Sequence, residues 1–158
     1  MTLDEARGVF EHSPWVAERA WRRGPFGSLD ALHAAMMQAV AEASREEQLA
    51  LVRAHPELAG REAKEGSLTP DSSSEQRRLG ILRLTREEFQ TMQDLNMGYR
   101  EKFGFPCIVA LRLHASRESV LREMRARLGN SRETELSNAL EQIGHITRGR
   151  LERLPWAS

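Results

Sequence analysis

TREEFQTMQDLNMGYREKFGFPCIVALRLH, Thr85 to His114, is the stretch on which the fold class turns. Phe89, Met92, Asn96, Tyr99 and Phe103 recur at spacings of three and four, which marks one face of a helix. Thr85, with Glu88 three residues on, forms a capping box at its start. Asn96 is the one polar residue on the face and reads as a structural hydrogen-bonder or as a ligand contact. The apolar run from Phe105 to Leu111 has the composition of a short strand, but no second run in the chain could pair with it. It is therefore expected to be a buried irregular or helical segment. The fold class that follows is all-α.

The rest of the chain agrees. Leu29, Leu32, Met36, Val40 and Ala43 make an apolar stripe behind a Ser28 cap. Two further capping boxes are expected, Ser44 with Glu47 and Ser72 with Glu75. Between them Gly60, Gly66 and Pro70 break the chain into a linker of about a dozen residues, a length often given to functional loops. One helix is predicted from about Ser116 to Leu128, stopped by Gly129-Asn130, and a last one from about Ser131 to Leu154. No repeat, low-complexity tract or domain boundary interrupts residues 1–158, so one compact bundle of about seven to nine helices is expected.

Charge excludes some partners. Lys plus Arg and Asp plus Glu number 23 each in 158 residues, and the arginines alternate with glutamates as on solvated helix faces. Nucleic acid is not the expected partner, because phosphate binding needs a basic excess. Cys107 is the sole cysteine, so no intrachain disulfide can form and a reducing compartment is expected. The start MTLDEARGVF lacks a signal peptide's apolar core, and the Phe105–Leu111 run is too short to span a bilayer. The expected location is the cytosol, with no membrane partner. The five histidines show no HExxH spacing, and no GxGxxG, GxxxxGK[ST] or GxSxG motif occurs. Chemistry, if any, is expected to need no metal, nucleotide or other cofactor.

Several polar residues stand in odd places. His55 precedes Pro56, which pushes it out of the helical region and ends the helix that begins near Ser44. It is either a simple helix stop or an imidazole held on a stiff bend for chemistry. Glu75 is either the capping-box partner of Ser72 or a carboxylate kept ionised at a helix start, and Ser72 carries the same two readings. On the last helix, Arg150 lies about 50° from the centre of the stripe through Leu136, Leu140, Ile143, Thr147 and Leu151. Arg148 and Arg153 lie about 110° away or more. A buried guanidinium needs an acceptor, either an internal acid or an anionic ligand. Cys107 among apolar neighbours is expected to pack rather than to act as a nucleophile.

The motifs HPxLAG at His55–Gly60, SxxEQ at Ser72–Gln76 and NxxYxxKFGFP at Asn96–Pro106 occur in order, preceded by FEHSPWVAERAW and followed by RLGNSRETELSNALEQI. Together they resemble the 2-oxo-4-hydroxy-4-carboxy-5-ureidoimidazoline (OHCU) decarboxylases of urate breakdown. The resemblance implies an all-helical fold, a cofactor-independent decarboxylation to (S)-allantoin and carbon dioxide, and a homodimer. It places the catalytic histidine on His55, the carboxylate on Glu75 and the pocket arginine on Arg150, which would hold oxygens of the substrate. Pro56, Ser72 and Gln76 would line the site, with backbone amides around Cys107 and Ile108. Cys107 replaces an aromatic usual in the family. The alternatives are an altered or inactive binding module of the same fold, or a lyase or hydrolase acting on a related ureido compound.

Overall fold

The computed structural model describes residues 1–60, 66 and 68–155. Among them are eight α-helices and two short 3-10 turns, and no strand. The helices are α1 (Leu3–Arg7), α2 (Trp15–Trp21), α3 (Leu29–Glu42), α4 (Arg45–Arg53), α5 (Pro70–Arg78), α6 (Arg86–Phe103), α7 (Arg117–Arg127) and α8 (Arg132–Glu152). The 3-10 turns are Ile81–Arg83 and Leu111–Leu113. Residues 61–65 and 67 of the expected linker lie outside the described residues.

Local capping chemistry sets most helix starts. Ser28, Ser116 and Ser131 each accept a backbone N–H from the first turn of their helix. Ser44 with Glu47 and Thr85 with Glu88 form reciprocal capping boxes, as the sequence predicts. Helix α4 ends at Arg53, and the chain bends at His55, whose N–H still reaches the Val52 carbonyl at 3.2 Å.

The Ser72 box does not form. Thr69 caps α5 instead, accepting the Ser72 N–H at 3.2 Å, and Pro70 takes the first helical position. There the missing N–H costs nothing and the fixed φ suits the helix. Ser72 and Glu75 therefore lie inside α5, with both side chains free to point away from the cap. The helix-dipole argument for an ionised Glu75 falls with the box, because that effect fades beyond the first turn.

Helix α8 is the organising element, packing on α3, α4, α6 and the Leu111–Leu113 turn. Leu136, Ala139, Ile143, Thr147 and Leu151 form its buried face. Tyr99 and Phe103 of α6 pack with Phe105, ring centroids 4.5 to 6.0 Å apart. The Phe105–Leu111 run is wholly buried and has no regular structure before its terminal turn, as expected. Asn96 donates to the Leu58 carbonyl at 2.9 Å, which bears out its structural reading.

A second polar core supports that irregular run. Arg127 is buried, donates to Glu135 at 2.7 Å and bonds the Ile108 carbonyl. Tyr99, Asn130 and Asn138 complete the shell around Glu135 at 2.6 to 2.8 Å. The backbone at Ile108 is thus held from behind by a satisfied charged network rather than by a sheet.

Candidate active site

One cavity of about 250 Å³ gathers every site residue that the family resemblance implies, while Asn96 lies outside its lining. His55 and Pro56 enter from the end of α4, and Ser72, Glu75 and Gln76 from one face of α5. Cys107 and Ile108 come from the irregular run, and Arg150 from α8. The i, i+3, i+4 spacing of Ser72, Glu75 and Gln76 is what puts all three on one side of a helix.

His55 is 5% exposed, and its Nε2 is buried with no hydrogen-bond partner among the described residues. Burial pushes the imidazole down to about 4, with Arg150 and His12 acting in the same direction and Glu11 opposing them. The ring is therefore neutral at pH 7, not poised at the ordinary histidine value that the sequence suggests. It offers an acceptor nitrogen in a dry setting.

Arg150 is 2% exposed, and both acids that partner it are internal. Its Nε and Nη2 grip the two oxygens of Glu75 at 2.9 and 2.7 Å. Nη1 donates to the Val9 carbonyl at 3.1 Å, and Nη2 also reaches Glu11 at 2.6 Å and the Ser72 hydroxyl at 3.2 Å. Among the described residues this leaves one Nη1 hydrogen uncommitted of the five the side chain owns. Glu75 is also touched by Arg153 at 3.3 Å, at the cavity mouth.

Gln76 accepts the Ala59 N–H at 3.1 Å, so its amide NH2 is the end left for donation. Ala59 sits at φ 51°, a left-handed conformation costly for a residue with a Cβ. Gln76 and Gln93, which donates to the Ala59 carbonyl at 2.8 Å, pin that turn. Along the irregular run the N–H groups of Cys107, Ile108 and Val109 have no acceptor among the described residues, whereas Ala110 donates to Gln142 at 2.8 Å. The Cys107 thiol is pushed up to about 12 by burial, as its apolar setting led us to expect.

Sequence reasoning missed Glu11, which is 3% exposed and bonds Arg150 and Ser72. It lies between α1 and α2, where no periodicity exposes an inward-facing side. Arg112 and Arg153, at the cavity mouth, were also unforeseen. No three His, Cys, Asp or Glu side chains among the described residues gather in a way that would hold a metal ion.

A sequence profile of the OHCU decarboxylases matches residues 2–152, almost the full length of the chain. The chain belongs to the OHCU decarboxylase family. It is 41% identical over 152 residues to the OHCU decarboxylase of Halalkalicoccus jeotgali, covering 96% of this chain and 84% of that one. It is 40% identical over 147 residues to a uric acid degradation bifunctional protein of a Bacillus species, covering 93% of this chain but 28% of that longer protein. A crystal structure of an OHCU decarboxylase in the presence of (S)-allantoin superposes with a TM-score of 0.74 at 21% identity, over 94% of this chain and 96% of that one. That last likeness establishes the shared helical fold of this OHCU decarboxylase family member.

Proposed function

We propose that this chain is a cofactor-independent decarboxylase of urate breakdown, converting OHCU to (S)-allantoin and carbon dioxide. One observation carries the reading: a neutral, buried His55, its Nε2 without a partner among the described residues, shares a small cavity with a Glu75 carboxylate fixed by Arg150.

Loss of carbon dioxide leaves an electron pair that needs a sink, which many decarboxylases borrow from a cofactor. This substrate has its own, because an imine carbon adjoins the carbon bearing the carboxylate. The carbon–carboxylate bond breaks, its pair forms an enol-like double bond, and the imine nitrogen takes up the displaced pair with a proton. Proton transfer to one face of the former imine carbon, with loss of the enol hydroxyl's proton as that oxygen becomes the ring carbonyl, then yields the (S) product. The protein's work is orientation, charge placement and one-sided proton delivery.

His55 moves the proton, and Glu75 orients the substrate hydroxyl. The N–H groups of Cys107 and Ile108, with the Gln76 amide, receive ring and ureido oxygens, while Pro56 and Ser72 shape the wall. Arg150 acts chiefly by aligning Glu75. A guanidinium clamped on the departing carboxylate would stabilise the ground state and slow its loss. The reading includes a cytosolic location, one domain and a homodimer, the last checked by light scattering on the purified protein.

The test uses substrate made in situ by oxidising urate, with (S)-allantoin followed by circular dichroism. Wild type, His55→Ala and an enzyme-free control are compared. Rapid chiral product from wild type alone supports the assignment, and a wild-type rate equal to the spontaneous one sinks it.

A further inference from the structure

Glu75 alone neutralises Arg150 through two parallel bonds, yet a second buried carboxylate is present. Glu11 reaches the same guanidinium at 2.6 Å and also takes the Ser72 hydroxyl. Desolvating an extra charge is costly unless something is gained by it. The next residue, His12, adopts φ 54°, a strained conformation of the kind that persists where surrounding structure enforces it. Two points of the same segment, the Val9 carbonyl and the Glu11 carboxylate, hold Arg150.

We propose that Glu11 is a positioning residue of this site: from behind the cavity wall it locks Arg150 and Ser72 and adds a second, more deeply buried carboxylate to the cluster beside His55. Glu11 is not among the cavity-lining residues, so it acts through its neighbours rather than on substrate.

The Glu11 charge has a use, which rests on the decarboxylase reading. Converting a carboxylate to carbon dioxide and a neutral product consumes one proton per turnover. That proton must enter through a site where burial works against a charged His55. Arg150 and His12 repel a proton on the ring, and Glu11 attracts it. Four further charged groups share the ring's main cavity in two pairs, Glu75 with Arg153 and Glu152 with Arg112, each at 3.3 Å. On its other side His55 shares a second cavity with Arg53, Glu57 and Arg100, where Arg100 pairs with Glu57 at 2.9 Å. Glu11 therefore supplies the field that keeps the proton within reach of His55.

Glu11→Gln tests this, since it keeps shape and the acceptor oxygen while losing the charge. Glu11→Asp keeps the charge on a shorter stem. Two readouts separate this idea from the parent reading: His55 ring titration by NMR in the free protein, and kcat/KM against pH with freshly made substrate. In folded Glu11→Gln the His55 midpoint should move to lower pH, and kcat/KM should fall about 100-fold, the low end of general acid–base effects. Glu11→Asp should keep the midpoint and recover part of the rate. An unmoved His55 midpoint in folded Glu11→Gln, or a kcat/KM within twofold of wild type, overturns the proposal. A wild type without turnover would defeat the decarboxylase reading instead, and the NMR titration would still decide the role of Glu11.

Discussion

Arg150 and Glu75 meet through two parallel bonds, Nε to Oε2 at 2.9 Å and Nη2 to Oε1 at 2.7 Å. The planar fork fixes both the position and the plane of the carboxylate, which a single-point ammonium cannot do. Arg150→Lys should therefore be far from conservative. With Glu11 and Glu75 left imperfectly paired in a buried site, we expect a loss of about 3–5 kcal/mol, the usual cost of breaking a buried pair. Urea unfolding of wild type and variant reads this directly, and a difference under 1 kcal/mol would contradict it.

His55 makes no hydrogen bond at Nε2 among the described residues, so its removal should damage chemistry more than folding. His55→Asn is expected to lower kcat/KM by about 10²–10⁴-fold with helical content retained. Allantoin formation followed by circular dichroism, beside far-ultraviolet spectra of the same samples, separates the two effects.

Acid should weaken the fold through two groups acting in one direction. Folded His55 binds its proton only near pH 4, whereas the unfolded ring binds one near 6.5. Between those values the unfolded chain holds more protons, so stability falls as pH drops through that window. Glu11 adds to the trend. Burial raises its carboxyl, but Arg150, the Ser72 hydroxyl and His55 outweigh burial and hold it below 4.5. Its contribution is present above 4.5 and is lost as pH falls through the folded value. Unfolding free energies measured from pH 7 to 4 should decline by roughly 2–3 kcal/mol. His55→Asn should flatten the section between pH 6.5 and 4; an equally steep decline in that variant would rule out His55 as its source.

The Cys107 thiol, 1% exposed and pushed up to about 12, should be inert in the native protein. At pH 8 a disulfide reagent should label it only after denaturation, and Cys107→Ala should still turn over substrate. Rapid labelling of the folded protein would show that the irregular run opens readily.

The family motifs, and for Arg150 its helix position, are enough to assign His55, Glu75, Arg150 and their neighbours to one site. Their chemistry was less legible. An ordinary histidine value suggests His55 near neutrality, but burial among Arg150, His12 and Glu11 sets a lower one, and no local pattern encodes that surrounding charge. Arg150 turned inward as its helix position requires, yet whether it met acid or ligand could not be read from α8 alone.

The sequence alone made α3, α4, α6, α7 and α8 legible, because caps and apolar periodicity act within a few residues of chain; α1 and α2 went unread, and α5 starts at Pro70 rather than behind Ser72. The sequence also determined that α4 stops before His55-Pro56 and that Phe105–Leu111 has no partner strand. Tertiary structure decided where the carboxylates go. Glu75 could have closed a cap on Ser72, but the Thr69-Pro70 start and an arginine 75 residues away claim it instead. Glu11 finds the same arginine across 139 residues. A buried charge is tolerable only beside its partner, and partners so distant in sequence are chosen by packing, not by local pattern.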